Sequence, residues 1–284
     1  MFKKVAFIGA GFMGYGIAKN ILKHGLQLNV IAHKNKQPIE KLIKLGATEF
    51  STYEELTSNV DCVIICVTNT AIAKEVAEKI VNKLKKDILF IDITTHHQNG
   101  SIEMENILSQ NGIKYVECPV MGGPVQAEEG ILGGIVGASE KNFKEASQYL
   151  ETFCKNIFHF GEVGVAAKAK LISNFLSLGT TTFVIETIKA ANHFNIDLIK
   201  LYEVAKLGSG NSGALTRIAE KAIKDDYKGY IFSVDNALKD FSYINDMLKD
   251  LPNAEKLSSL AKSFYEDASN KGQGKLLISE LIKK

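Results

Sequence analysis

Lys170, Asn174, Ser177 and Thr181 recur at steps of four, three and four residues, so a helix places them on one face. A lysine at the head of such a stripe can exchange one proton with a substrate oxygen. A carboxamide one turn on can bond the same oxygen or hold the amine in place. The stretch from Val165 to Phe194 has no proline, one glycine (Gly179) and apolar residues at nearly every turn. It predicts one helix of about 45 Å. A helix apolar on most faces belongs in an interior. It is uncharged from Leu171 through Ile185, but Asn174, two serines and three threonines there argue against a membrane span. The competing reading of Lys170 is a surface lysine whose stem snorkels to water.

A second chemical feature lies at the other end of the chain. Lys4 to Ile8 is a short β-rich run, followed at once by Gly9-Ala10-Gly11-Phe12-Met13-Gly14 and a helical stretch ending near His24–Gly25. In that strand–turn–helix context the three glycines suit a dinucleotide pyrophosphate. Gly9 allows the tight turn, Gly11 the close backbone approach, and Gly14 the packing of helix on strand. The helix N-terminus offers N–H groups to the phosphates. After the next strand the loop is His33-Lys34-Asn35-Lys36, and no acidic residue occurs from Leu26 through Ile39. Such a loop suits the 2′-phosphate of NADP(H) and lacks the carboxylate that normally holds the free ribose hydroxyl of NAD. The alternative is that these lysines are solvated loop charges.

Those groups need elements to position them. Strands around Thr48–Phe50, Cys62–Val67, Ile88–Asp92 and Lys114–Glu117 alternate with helices, which predicts a doubly wound parallel sheet of Rossmann type. Ligands of such sheets lie beyond the carboxyl ends of the strands, which places Val67, Thr68 and Asn69, and Thr94 with Thr95, beside the cofactor. Gly122-Gly123 reads as a turn whose N–H groups suit a carboxylate, and a second glycine-rich segment, Gly130 to Gly134, follows it. His96 and His97 are adjacent with no metal-ligand spacing, so no metal is expected; they read as solvated loop residues bordering the substrate mouth, with contact of one of them to substrate as the alternative. Beyond Asn195 the pattern is purely helical, with a last helix over Gly274–Lys283. The chain is therefore divided into a dinucleotide-binding domain, 1–162, and an all-α domain, 163–284, joined by the long helix, with the active site expected in a cleft between them.

At 284 residues and a net charge of +2, the chain gives no electrostatic case for nucleic acid or an anionic membrane. Cys62, Cys66, Cys118 and Cys154 form no disulfide framework, which fits free thiols in a reducing cytoplasm.

Taken together, these motifs resemble the β-hydroxyacid dehydrogenase family, whose members include 3-hydroxyisobutyrate dehydrogenases and semialdehyde reductases. Gly9-x-Gly11-x-Met13-Gly14 resembles the cofactor signature, and Asp92-x-Thr94-Thr95 the DxST substrate segment. Pro119-Val120-Met121-Gly122-Gly123 resembles the PVSGG turn, and Gly161-x-x-Gly164 leading to Lys170-x-x-x-Asn174 the segment bearing the catalytic lysine. Phe232 with Lys239-Asp240 resembles a C-terminal segment whose lysine lies by the cofactor. The resemblance implies an NADP(H)-dependent oxidoreductase that interconverts a small hydroxy acid and its aldehyde or semialdehyde. Lys170 and Asn174 are then catalytic. Substrate contacts come from Thr94, Thr95, Met121, Gly122 and Gly123, and cofactor contacts from Gly9, Gly11, Phe12, Met13, Gly14, His33, Lys34, Val67, Thr68, Asn69, Thr95 and Lys239. A homodimer or homotetramer is also implied. The sequence departs from the pattern at Met121, where the family has serine, and at Gln98, Ala166 and Ser173. Two other readings remain open, an imine reductase-like enzyme on the same scaffold and a non-catalytic NADP-binding sensor or scaffold.

Overall fold

Alternation of apolar runs with amphipathic stretches builds the first unit. The computed structural model describes residues 3–33 and 35–283. Strands β1 (Lys4–Ile8), β2 (Gln27–Ile31), β3 (Thr48–Phe50), β4 (Cys62–Ile65), β5 (Leu89–Asp92) and β6 (Lys114–Glu117) form one parallel sheet in the order β3-β2-β1-β4-β5-β6. The crossovers are α1 (Phe12–Lys23), α2 (Gln37–Lys44), α3 (Tyr53–Thr57), α4 (Thr70–Ile80) and α5 (Gly100–Ser109). Successive β1 residues enter opposite cores: Val5 and Phe7 pack with Ile17 and Ile21 of α1, whereas Ala6 and Ile8 pack with Ala73 and Ala77 of α4. A sheet covered on both faces needs apolar residues on both, which is why CVII of β4 reads as a continuous run. The order reverses between β1 and β4, so the ligand crevice of this topology opens at the Gly9 turn.

Beyond β6 the structure departs from the expected all-parallel sheet. Strands β7 (Val120–Met121), β8 (Leu132–Val136) and β9 (Cys154–His159), with helices α6 (Pro124–Glu129) and α7 (Glu140–Leu150), make a second sheet in the order β7-β8-β9. In it β7 runs antiparallel to β8. Gly133 and Gly134 lie inside β8, where little room is left for a side chain at Gly134. The physical reason is tertiary: a Cβ at Gly134 would stand 3.2 Å from the sulfurs of both Cys118 and Cys154. These glycines mark close packing, and Gly130, with φ 73°, is the one that ends α6.

The predicted long helix is α8 (Val165–His193), 29 residues in one run. By length and mean hydropathy (1.3) it meets the criteria for a membrane span. Its Leu171, Leu178, Val184, Ile185 and Ile188 instead form part of a protein core. The chain divides into two compact units between Lys170 and Leu171, inside this helix.

The second unit is helical. Helices α9 (Leu198–Leu207), α10 (Gly213–Ala222), α11 (Val234–Leu248) and α12 (Pro252–Ala268) follow, with α9, α10 and α11 capped by the side chains of Asp197, Ser212 and Ser233. The stacked rings of Phe241 and Tyr265, with centroids 5.7 Å apart, join α11 to α12. The expected final helix over 274–283 is absent. A π-type turn (Ser269–Gln273) and a 3-10 segment (Ile278–Lys283) take its place. Gly272 adopts φ +76°, which breaks the helix, and Ser233 forms a β-bridge with Leu277 that holds the chain extended.

Candidate active site

The glycine turn between β1 and α1 has the geometry its spacing predicted. Gly9 sits at φ +101°, and a Cβ there would collide with the Cys66 carbonyl oxygen. A Cβ at Gly14 would strike the carbonyl of Gly9, so α1 starts directly against the turn. Gly11 faces open space, as a close backbone approach to a ligand requires. It is the N-cap of α1, with no side-chain cap and no acidic residue in the first turn. The first N–H groups of this helix and its positive dipole end are thus left for an anion, and the residues present fit a dinucleotide pyrophosphate. Phe12 is 83% exposed beside it and Met13 is half-buried. His33 is exposed beyond β2, while Lys34 lies outside the described residues.

The strand ends opposite are held by their own side chains. Thr94 is buried; its hydroxyl accepts from Val67 N (3.3 Å) and its N–H donates to Asp92 Oδ1 (2.9 Å). Asn69 caps α4, its Oδ1 accepting from Ile72 N at 2.9 Å. Both residues therefore shape the crevice through bonds within the protein. Thr68 is exposed and Thr95 half-buried. His96 lies in a loop, as expected, but is 1% exposed. Its Nε2 lies 2.8 Å from Asp92 Oδ2 and its Nδ1 3.1 Å from the Thr70 hydroxyl, which itself accepts from His97 N. Tyr115 also donates to Asp92 Oδ2 at 3.3 Å. A buried Asp–His–Thr–Tyr network thus fixes the turn that bears Thr94 and Thr95.

Lys170 is buried, which removes the surface reading. Its Nζ donates to the Val120 carbonyl at 2.7 Å and meets Met121 Sδ at 3.3 Å. The lysine of the long helix and the 119–123 turn, 50 residues apart in sequence, therefore form one cluster. Within that turn, Gly122 adopts φ +118° and is exposed. The N–H of Gly123 is already used: it donates to Gln126 Oε1 at 2.9 Å in a capping box. Its expected role as a carboxylate donor is thereby filled from within the protein.

Farther along α8, Asn174 donates from Nδ2 to Asp240 Oδ2 at 2.7 Å, and Lys239 Nζ lies 2.9 Å from Asp240 Oδ1. Asp240 is 2% exposed and thus links Asn174 to Lys239, whose ammonium also stands over the Tyr243 ring at 5.4 Å. The hydroxyls of Ser177 and Thr181 bond carbonyls of their own helix, Asn174 O and Ser177 O. They support the helix and do not present free donors.

Two carboxylates were missed from the sequence. Asp240 was read only as the neighbour of Lys239. Glu117 was read only as the end of a strand, although an acidic residue closing an apolar strand was the available signal. It is 0% exposed and accepts from the N–H groups of Gly164 (2.6 Å), Ala166 (3.0 Å) and Ala167 (3.2 Å) at the start of α8. Burial pushes its carboxyl above the usual range. The nearby Ser101 hydroxyl and the three N–H groups pull it back down. Cys66, between the glycine turn and the Asp92 network, is pushed up to about 12 by burial and the Asp92 charge.

A parallel sheet with its switch point at a glycine turn, followed by a helical unit, defines a dinucleotide-dependent oxidoreductase. Residues 4–161 match the family model for the NAD-binding domain of 6-phosphogluconate dehydrogenase. Residues 164–284 match the model for the NAD-binding domain of NADP-dependent 3-hydroxyisobutyrate dehydrogenase. The chain belongs to the β-hydroxyacid dehydrogenase family and is an NAD(P)-dependent enzyme acting on CH–OH groups. It is 28% identical to the mitochondrial 3-hydroxyisobutyrate dehydrogenase of Drosophila melanogaster over 99% of this chain and 90% of that one. Among solved structures, a 3-hydroxyisobutyrate dehydrogenase from Salmonella typhimurium superimposes with TM-score 0.90 at 26% identity, covering 99% of each chain. The imine reductase of Myxococcus stipitatus, in complex with NADP+, shares the fold at TM-score 0.67 and 21% identity, over 99% of each chain.

Proposed function

We propose that this enzyme is an NADP(H)-dependent reductase of small aldehydes or semialdehyde acids, or the reverse hydroxy-acid dehydrogenase, with Lys170 as general acid and base. The observation supporting this reading is the buried Lys170 ammonium, held 2.7 Å from the Val120 carbonyl beside Met121. When bound, the nicotinamide supplies or accepts a hydride. The protein's part is then one proton: Lys170 gives it to the carbonyl oxygen in reduction and takes it from the hydroxyl in oxidation. The Val120 carbonyl orients the amine, so less rotamer freedom is lost at the moment of transfer. Asn174, held by Asp240, supports the same helix face one turn on.

NADP(H) is favoured by the acid-free loop after β2, with exposed His33 and Lys36. Four free cysteines, with Cys62, Cys118 and Cys154 buried, fit a cytoplasmic location. A homodimer or homotetramer is supported by large apolar residues exposed along α8, Ile172 (58%), Leu176 (73%) and Phe183 (69%). Light scattering that finds a monomer would remove the oligomer.

The test is NADPH oxidation across glyoxylate, succinic semialdehyde and simple aldehydes, with wild type and Lys170→Ala. The variant is expected to lose turnover while binding NADPH near the wild-type affinity. Retained turnover refutes the role of Lys170. Turnover confined to ketone–amine mixtures would favour the imine-reducing reading, and NADPH binding without any turnover a sensor.

A further inference from the structure

We propose that Glu117 is the positioning residue of Lys170: from the end of β6 it fixes where α8 begins and hence where the lysine amine stands. This rests on the reading of Lys170 as the proton donor.

The first N–H groups of a helix lack partners within the helix and are usually met by a side chain just before it. In α8 they are met by a carboxylate 47 to 50 residues earlier in the chain. Both Glu117 oxygens are used, Oε1 by Gly164 and Ala166, and Oε2 by Ala167. A buried carboxylate is costly, and the helix N-terminus with its positive dipole end offsets that cost. The fold also reserves space for this group. Glu117 exchanges both backbone bonds with Gly137, N to O at 3.1 Å and O to N at 3.0 Å, and a Cβ at Gly137 would collide with Glu117 Oε1.

The same short segment holds the other end of the lysine. Three residues beyond Glu117, the Val120 carbonyl accepts from Lys170 Nζ; three residues before Lys170, Ala167 donates to Glu117. The backbone that supports the lysine and the atom that orients its amine are thus tied to one stretch, 117–120. A local serine or aspartate would cap the helix equally well without linking it to that stretch. The groups facing Glu117 are Tyr115 on β6, Asp92 on β5, Ser101 on α5 and Cys118 after β6. Ser101 Oγ is buried beside the carboxylate, and its hydroxyl, with the three N–H groups, favours the charged form.

The experiment compares Glu117→Gln and Glu117→Asp with wild type in the full chain, using NADPH and the aldehyde reduced fastest in the panel above. Glu117→Gln keeps the size and removes the charge. It is expected to lower kcat tenfold or more with KM for NADPH within twofold. The kcat pH limb should move to lower pH, because loss of a buried negative charge on the segment that holds the amine disfavours the ammonium. Glu117→Asp restores the charge on a shorter stem, so the limb should return to the wild-type position while kcat stays below wild type. A Glu117→Gln enzyme with wild-type kcat overturns the proposal. So does an unmoved limb with losses that track only the folded fraction by circular dichroism. If the Gln variant does not fold, Glu117→Asp decides: reduced kcat at unchanged KM supports the proposal and wild-type kcat overturns it. An active Lys170→Ala enzyme refutes the catalytic reading itself. An inactive one beside a normal Glu117→Gln refutes only this inference.

Discussion

The amide of Asn174 lies 2.7 Å from the carboxylate of Asp240, and that carboxylate also meets the ammonium of Lys239. A residue expected to bond the substrate oxygen or to hold the lysine has one N–H committed to a third side chain. The orientation of Asn174 is therefore set by Asp240, and the Oδ1 of Asn174 is turned away from that bond.

Removing the carboxylate should release the amide. Asp240→Asn is expected to lower kcat by about tenfold or more, the cost of losing orientation at a hydrogen-bonded group. Asn174→Ala should lower it by a similar factor, and the double variant should be little worse than either single one. Additive losses in this cycle would show that the two side chains act separately.

Cofactor choice should reside in the loop after β2. Reversing the charge with Lys34→Asp is expected to shift the NADPH-to-NADH ratio of kcat/KM tenfold or more toward NADH, since a carboxylate there suits a ribose hydroxyl and repels a 2′-phosphate. Equal efficiency of the wild-type enzyme with both cofactors would remove the role given to this loop.

Stability should fall on the alkaline side. The folded state holds the Cys66 proton up to about 12, and the buried Cys62, Cys118 and Tyr115 are also raised by burial or close neighbours. The unfolded chain releases a thiol proton near the ordinary value of 9.0. Between those values the folded state binds more protons, so unfolding becomes easier as pH rises, by about 1.4 kcal/mol per pH unit for each such group. Urea midpoints at pH 7, 9 and 10.5 should fall modestly between the first two and more steeply to the third. Equal midpoints at pH 9 and 10.5 would contradict the assignment.

Much of this was legible before folding. The Gly9–Gly14 spacing, the apolar runs of β1 and β4 and the helical periodicity from Val165 each report local rules, namely turn sterics, two-sided burial and the 3.6-residue repeat. Those rules also gave the face shared by Lys170 and Asn174. They failed where small or polar residues answered to distant neighbours. Nothing near Gly134 in sequence announces the Cys118 and Cys154 sulfurs that press on its strand. His96 looked like a solvated loop residue because nothing beside it announces Thr70 and Asp92, whose side chains hold it buried in its loop.

The sequence by itself determined the class: a glycine turn between strand and helix, an alternating sheet, and a lysine one turn ahead of an asparagine on a long apolar helix. Tertiary structure alone decided what holds those groups. Glu117 caps a helix 47 residues away, Val120 orients Lys170, Gln126 takes up the Gly123 N–H, and Asp240 takes up Asn174. The physical reason is that a motif records which groups are present along the chain. A buried donor or acceptor takes whichever partner packing brings within about 3 Å, and that choice is made only when the chain has closed.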